Sequence, residues 1–146
     1  MANDPKTRIL IIEDDVGFRD LLRLHVSMAG YSAELAVDGV EGGKAVLASP
    51  PDLVLCDLNM PLMGGLELLA LMRSHEQTAS VPVILLSGHS DSDTVNKAMG
   101  LGAAGFLTKP VTIEDLTNSI HACLAKDGRK AAASLRSDES DGVGGR

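Results

Sequence analysis

Four stretches of the chain are apolar without alternation: residues 9–12 (ILII), 53–56 (LVLC), 81–86 (VPVILL) and, more weakly, 105–107 (GFL). A strand with one wet face alternates polar and apolar side chains, so these runs predict strands buried on both faces. Residues 31–37 (YSAELAV) do alternate, placing Tyr31, Ala33, Leu35 and Val37 on one face, which suits an edge strand. Helical spacing fills the gaps. Phe18, Leu22, Val26 and Ala29 repeat at intervals of four, four and three, with Gly30 as a C-terminal stop. Leu68, Leu69 and Met72 form a second stripe, and Ile113, Leu116, Ile120 and Cys123 a third, opened by Thr112 and Asp115 in a capping-box pattern.

Two further helices read as weaker. The segment 38–49 carries Gly42 and Gly43, each costing about 1 kcal/mol relative to Ala inside a helix. The segment 92–102 offers little apolar stripe beyond Val95, Ala98 and Met99. Strand and helix thus alternate five times, which predicts an α/β fold with a five-stranded parallel sheet covered on both faces by five helices. The pattern divides the chain into an N-terminal extension (1–6), one domain (7–126) and a Gly/Ser-rich polar tail (127–146) expected to be flexible.

Composition narrows the function. The net charge is −7, and residues 1–125 hold 8 Lys/Arg against 16 Asp/Glu. Phe18, Tyr31 and Phe106 are the only aromatics. An acidic domain with so few stacking platforms is poorly suited to nucleic acid, and better suited to cations or basic partner surfaces. Cys56 and Cys123 show no metal-type spacing and read as reduced core thiols. His25, His75, His89 and His121 show no ligand spacing either. No charged-then-apolar leader opens the sequence, and no apolar run approaches the ~20 residues that span a bilayer, so a cytoplasmic protein without membrane insertion is expected.

Chemistry is expected where the apolar runs end, because ligands of open parallel sheets bind outside the carboxyl ends of the strands. The first run ends in Glu13, Asp14 and Asp15, the third strand in Asp57, the fourth in Ser87 and the fifth in Thr108 and Lys109. Taken alone, Asp57 is an ordinary strand-end carboxylate and Glu13–Asp15 an acidic helix start. Together they crowd negative charge that repels by about 4 kcal/mol per pair at 4 Å and an effective dielectric of 20. An all-oxygen donor set without His or Cys points to a hard cation, and a few carboxylates plus water match Mg2+. Lys109 and Ser87 at the same rim make sense if a phosphoryl group arrives on Asp57 as an acyl phosphate.

The segments ILIIEDDVGFRDLL, DLVLCDLNMPLMGGLELL, VPVILLSG and GAAGFLTKP resemble, in order and at similar spacing, the successive motifs of bacterial two-component response-regulator receiver domains. The resemblance implies a doubly wound, flavodoxin-like sheet of order 2-1-3-4-5. It implies that Glu13 and Asp14 are the acidic pair, with Asp14 the more direct Mg2+ ligand, and that Asp57 is the phosphoacceptor. It further implies a metal contact from the backbone carbonyl of Asn59, a phosphate-binding Lys109, switch roles for Ser87 and Phe106, and a cis Lys109–Pro110 bond that turns the lysine into the site. Asp15 is not implied as a ligand. His89, two residues past Ser87, is expected to line the rim and to affect access of water to the acyl phosphate. Two departures stand out: Met63-Gly64-Gly65 lacks the family's helix N-cap carboxylate, and Gly88 replaces a small Ala.

The expectation is therefore a stand-alone switch resembling chemotaxis regulators. It is not an enzyme beyond its own phosphorylation and dephosphorylation. A sensor histidine kinase or phosphotransfer protein is the expected donor, an output protein the listener, with no nucleic-acid contact; a monomer is favoured, with dimerisation open. Two alternatives share this reading: a phosphorylation-independent interaction module on the same fold, and a receiver cut from a longer regulator. A haloacid-dehalogenase-type phosphatase would need Asp-x-Asp after the first strand, and a flavodoxin-like cofactor binder a Ser/Thr/Gly loop where Glu13-Asp14-Asp15 stands.

Overall fold

The computed structural model describes residues 7–89 and 91–126. The expected N-terminal extension and flexible tail lie outside the described residues. The elements alternate strictly: β1 (Arg8–Ile12), α1 (Val16–Met28), β2 (Ser32–Ala36), α2 (Gly39–Ala48), β3 (Leu53–Asp57), α3 (Gly65–Arg73), β4 (Val83–Ser87), α4 (Ser92–Gly100), β5 (Gly105–Thr108) and α5 (Ile113–Lys126). All strands pair in parallel, in the order β2-β1-β3-β4-β5.

The absence of alternation in the central strands follows from two separate cores. Leu10, Ile12, Val54, Cys56 and Leu85 point to one face, where Val46 of α2, Leu68, Leu69 and Met72 of α3 and Ala98 of α4 cover them. Ile9, Ile11, Leu53, Leu55, Ile84 and Leu86 point to the other, under Leu22 and Val26 of α1 and Leu116, Ile120 and Cys123 of α5. Both cysteines are reduced and buried, as the sequence implied. No helix among the described residues is long and apolar enough to cross a membrane.

Three sequence readings need adjustment. β2 is the edge strand expected, but only Tyr31 and Ala33 of its alternating set pack into the core, while Leu35 and Val37 stay exposed and Ala36 is buried on the opposite face. On the face shared with α1, the edge strand is covered only over its first half. Ile113 is exposed at 44%, because the buried face of α5 begins one turn later at Leu116. Met99 is likewise exposed, which leaves Ala98 as the one fully buried residue of α4.

The helix ends match their sequence signals. Gly30 and Gly102 both take φ +99°, and each closes a Schellman turn after α1 and α4 respectively. The Thr112 hydroxyl accepts the Asp115 N–H at 3.0 Å, capping α5. At α3 the missing carboxylate is felt: Gly64 is the N-cap and supplies no side-chain acceptor. Only the return half of a capping box forms, with the Gly64 N–H donating to Glu67 Oε1 at 2.9 Å.

The glycines of α2 that weakened the helix prediction have a packing reason. A Cβ on Gly42 would lie 2.5 Å from Cδ1 of fully buried Ile12, so the missing side chain lets α2 approach β1 closely.

Candidate functional site

Register brings the ends of four strands into one rim. Ile12 pairs with Cys56, Asp57 with Leu86, and Ser87 with Thr108, so Glu13, Asp57, Ser87 and Lys109 leave the sheet at adjoining positions. The Lys109 N–H donates to the Ser87 carbonyl at 2.7 Å, and the Leu58 N–H to the Leu86 carbonyl at 2.8 Å, which fastens β5 to β4 and β4 to β3 at this edge.

Glu13, Asp14 and Asp57 each present a carboxylate oxygen within 4.8 Å of the others'. Glu13 and Asp57 are buried, at 1% and 5% exposure, whereas Asp14 faces solvent. Lys109 Nζ lies 2.9 Å from Asp57 Oδ1 and 3.4 Å from Glu13 Oε1. Asp15 does not join the group. Its carboxylate caps α1, accepting the Phe18 N–H at 2.8 Å, while its own N–H donates to Glu13 Oε2 at 3.0 Å.

Burial raises the pKa of Asp57, and the charge of Asp14 adds to this, while Lys109 and the Leu58 N–H pull the other way. Glu13 is also raised, first by burial and then by Asp57, against the opposing pull of the Asp15 N–H and Lys109. For Lys109, burial opposes the charged form, but Asp57 and Glu13 together outweigh it and the pKa is raised. Cys56, beside the site, is pushed far up by burial and the neighbouring carboxylates, so it stays a thiol, donating to the Asp57 carbonyl at 3.3 Å.

The donor set fits magnesium. In octahedral Mg2+ with bonds of ~2.1 Å, adjacent ligands lie about 3.0 Å apart and opposite ones about 4.2 Å. Oxygens of Glu13, Asp14 and Asp57 within 4.8 Å of one another can therefore share one ion once they draw inward by up to about 2 Å or reach it through a water. The remaining residues named from sequence are placed as follows. Ser87 is fully buried, and its Oγ accepts the His89 N–H at 3.0 Å. Asn59 is exposed in the turn after β3. Phe106 is half-buried against the core on the α2–α3–α4 face. The Lys109–Pro110 bond is cis. Gly88 is not required by packing, since a Cβ there would meet nothing within 4 Å.

The turn that follows Asn59 is unusual. Leu62 holds φ +73° and is 81% exposed, and the Met63 N–H closes back on the Pro61 carbonyl at 2.8 Å. Further on, Gly65 opens α3 so close to β3 that a Cβ would lie 2.8 Å from the Asp57 carbonyl oxygen. The phosphoacceptor candidate is thus flanked by tightly approached backbone.

Two residues at the site escaped sequence reasoning. Arg19 Nη1 donates to the Glu13 carbonyl at 2.9 Å, fixing the backbone behind the acidic pair. The Phe18 ring, read from sequence only as part of an apolar stripe, lies under Lys109 Nζ at 4.6 Å from its centroid. The available signal was position: both residues fall in the first turn after Glu13-Asp14-Asp15.

The family description "response regulator receiver domain" matches residues 9–121. The chain belongs to this family. Among curated relatives, the receiver is 34% identical over 131 residues to the DNA-binding dual master transcriptional regulator RpaA of Synechocystis, covering 90% of this chain and 54% of the relative. It spans about half the length of this and another curated relative it matches. Among solved structures, the chemotaxis protein CheY4 of Vibrio cholerae superposes with a TM-score of 0.77 at 26% identity, covering 81% of this chain and 98% of that one. A CheY-like receiver domain protein from Methanospirillum hungatei gives 0.76 at 28% identity, covering 87% and 99%. The sheet order and helix count of the receiver fold are those expected from sequence. This is a receiver domain of two-component signalling.

Proposed function

We propose that this receiver is a phosphorylation-dependent switch whose phosphoacceptor is Asp57. The observation that carries the reading is the 2.9 Å contact between Lys109 Nζ and Asp57 Oδ1 beside the oxygens of Glu13 and Asp14. It leaves one buried carboxylate flanked by a cation on one side and a candidate metal site on the other.

A carboxylate oxygen of Asp57 attacks the phosphorus of a phosphohistidine presented by a sensor histidine kinase or phosphotransfer protein. The P–O bond to Asp57 forms as the P–N bond breaks, and the imidazole leaves with the bonding pair. Lys109 neutralises a phosphoryl oxygen, and the buried Ser87 hydroxyl donates a hydrogen bond to another. Glu13, Asp14, Asp57 and the backbone carbonyl of Asn59 would hold Mg2+, which supplies positive charge against the phosphoryl oxygens when bound. The receiver contributes no further catalysis beyond later hydrolysis of its own acyl phosphate.

Switching follows from the movement of Ser87 toward the phosphoryl group, which frees space for the half-buried Phe106 to rotate. α4 suits the response, because Ala98 is its one fully buried residue and low local stability permits rearrangement. Output by contact with a cytoplasmic partner protein, as a monomer, fits the acidic, aromatic-poor surface. A second reading is favoured by the half-length match to curated relatives: this receiver serves a longer regulator, and a DNA-binding segment such as RpaA's name implies would then carry the output.

The test is transfer of labelled phosphate from a phosphorylated kinase domain. Labelling that needs Mg2+ and disappears in Asp57→Ala is expected. Labelling that survives the substitution moves the site elsewhere, and a receiver that takes up no phosphate favours a phosphorylation-independent module.

A further inference from the structure

We infer that Phe18 is a positioning residue for the phosphoryl-binding lysine, holding the Lys109 ammonium at the site through the face of its ring. The inference rests on the proposed role of Asp57 and deepens it.

The Lys109 ammonium has three partners among the described residues. Two are anions, Asp57 Oδ1 at 2.9 Å and Glu13 Oε1 at 3.4 Å; the third is the Phe18 ring, with Nζ 4.6 Å from its centroid. This distance lies within the ~6 Å over which a ring quadrupole attracts a cation. The partners differ in what phosphorylation does to them. Glu13 and Asp57 are the carboxylates that a metal and a phosphoryl group would engage, so their hold on the lysine weakens when the lysine is needed. The ring carries no charge to divert. Its attraction for the ammonium persists as the anions change partners.

The ring is also well anchored. It packs, half-buried, against the core formed by α1, α5 and the sheet. Its backbone N–H is held by the Asp15 carboxylate at 2.8 Å, and Asp15 directly follows the acidic pair. The loop that sets Glu13 and Asp14 therefore also sets the aromatic face. Lys109 is a long side chain with many rotamers, and fixing it before phosphoryl arrival removes an ordering cost from the reaction. Phe18 touches none of the candidate metal-ligating oxygens by any hydrogen bond, so its effect should be separable from metal binding.

The experiment uses the full chain with acetyl phosphate and Mg2+ as phosphodonor. Fluorinated phenylalanines placed at position 18 keep the ring's shape while progressively removing its negative face. The rate of Asp57 phosphorylation should fall stepwise with fluorine number, reaching about 3- to 10-fold at full fluorination, and Phe18→Leu should fall in the same range. Phe18→Tyr should restore the rate to within about 2-fold, since its ring face is retained. Mg2+ affinity should stay level or tighten slightly across the fluorine series, since a loosened Lys109 competes less for Asp57, and the thermal midpoint should change little. A rate independent of fluorination, with the wild-type receiver labelled normally, overturns the inference and leaves Asp57 as the acceptor. A rate that falls only in step with the thermal midpoint overturns it as well, by assigning the ring to packing. Failure of the wild-type chain to take up phosphate overturns both readings.

Discussion

Lys109 Nζ sits 2.9 Å from Asp57 Oδ1, so the cation that would stabilise a phosphoryl group is already paired with its acceptor. The same contact competes with any metal for Asp57. Lys109→Met should therefore bind Mg2+ several-fold more tightly while losing at least about 10-fold in phosphorylation rate, because electrostatic stabilisation of the transferring group is lost. Calorimetric Mg2+ titration decides the first part: weaker binding by the variant would show that Lys109 supports the carboxylates rather than competing with the metal.

The buried pair Glu13 and Asp57 sets a pH dependence. Both have native pKa values raised above the ordinary carboxylate range of about 4. A raised acid binds its proton more tightly in the folded state, so its contribution to stability is present below the unfolded pKa and is lost as pH rises through the folded one. In EDTA, stability should fall from about pH 4 upward for this reason. The raised pKa of Lys109 acts only near the lysine range and leaves this window untouched. Glu13→Gln should flatten the slope, raise the thermal midpoint in EDTA by a few degrees, and abolish most of the stabilisation that Mg2+ gives the wild type. An unchanged slope by thermal denaturation across pH would remove Glu13 as the strained group.

Arg73 ties the end of α3 to the turn after α4. Its Nη2 donates to the Gly102 carbonyl at 2.9 Å and its Nη1 to the Thr78 carbonyl at 3.4 Å. Because α4 itself buries little, this clamp should account for much of the order at its C-terminal end. Arg73→Ala should cost about 1 kcal/mol, allowing for partial exposure, and speed amide exchange at Gly102 and Ala103 more than in β3. Equal acceleration in β3 would mean that the clamp serves the whole domain.

Gly42 and Gly43 should respond oppositely to the same substitution. Each gains about 1 kcal/mol of helix propensity as Ala. At Gly42, however, the new Cβ would meet Ile12 at 2.5 Å, and overpacking of this kind costs about 1–3 kcal/mol, so Gly42→Ala should destabilise. At Gly43 the nearest atom is Leu71 Cδ2 at 3.4 Å, an ordinary contact, and Gly43→Ala should stabilise. Urea midpoints for the two variants test this, and a shift of the same sign in both would refute the packing account.

Much of this was legible along the chain. Runs of apolar residues without alternation required strands covered on both faces, and the polar residue ending each run marked the rim of the sheet, because a carboxylate or lysine has no place inside a doubly covered strand. Glu13, Asp57, Ser87 and Lys109 were found by that rule; parallel pairing puts them at one end of the sheet, and the order β2-β1-β3-β4-β5, which only the family resemblance implied, makes them neighbours. Ile113 was misjudged because helical spacing identifies a face but not where the neighbouring sheet ends. β4 begins at Val83, two residues later than its apolar run, because Pro82 has no N–H to give to a ladder.

The fold class, the acidic rim and the identity of the candidate site residues were properties of the sequence, since hydrophobic period and residue chemistry are local. Which groups touch Lys109 was not. The Phe18 ring reaches it across 91 positions of sequence, the tight seat of Gly42 on Ile12 depends on how α2 lies on β1, and the clamp of Arg73 depends on the turn after α4. These contacts arise only when separate elements pack, because a side chain's neighbours across an interface are set by the relative placement of two elements and leave no periodic trace in either one.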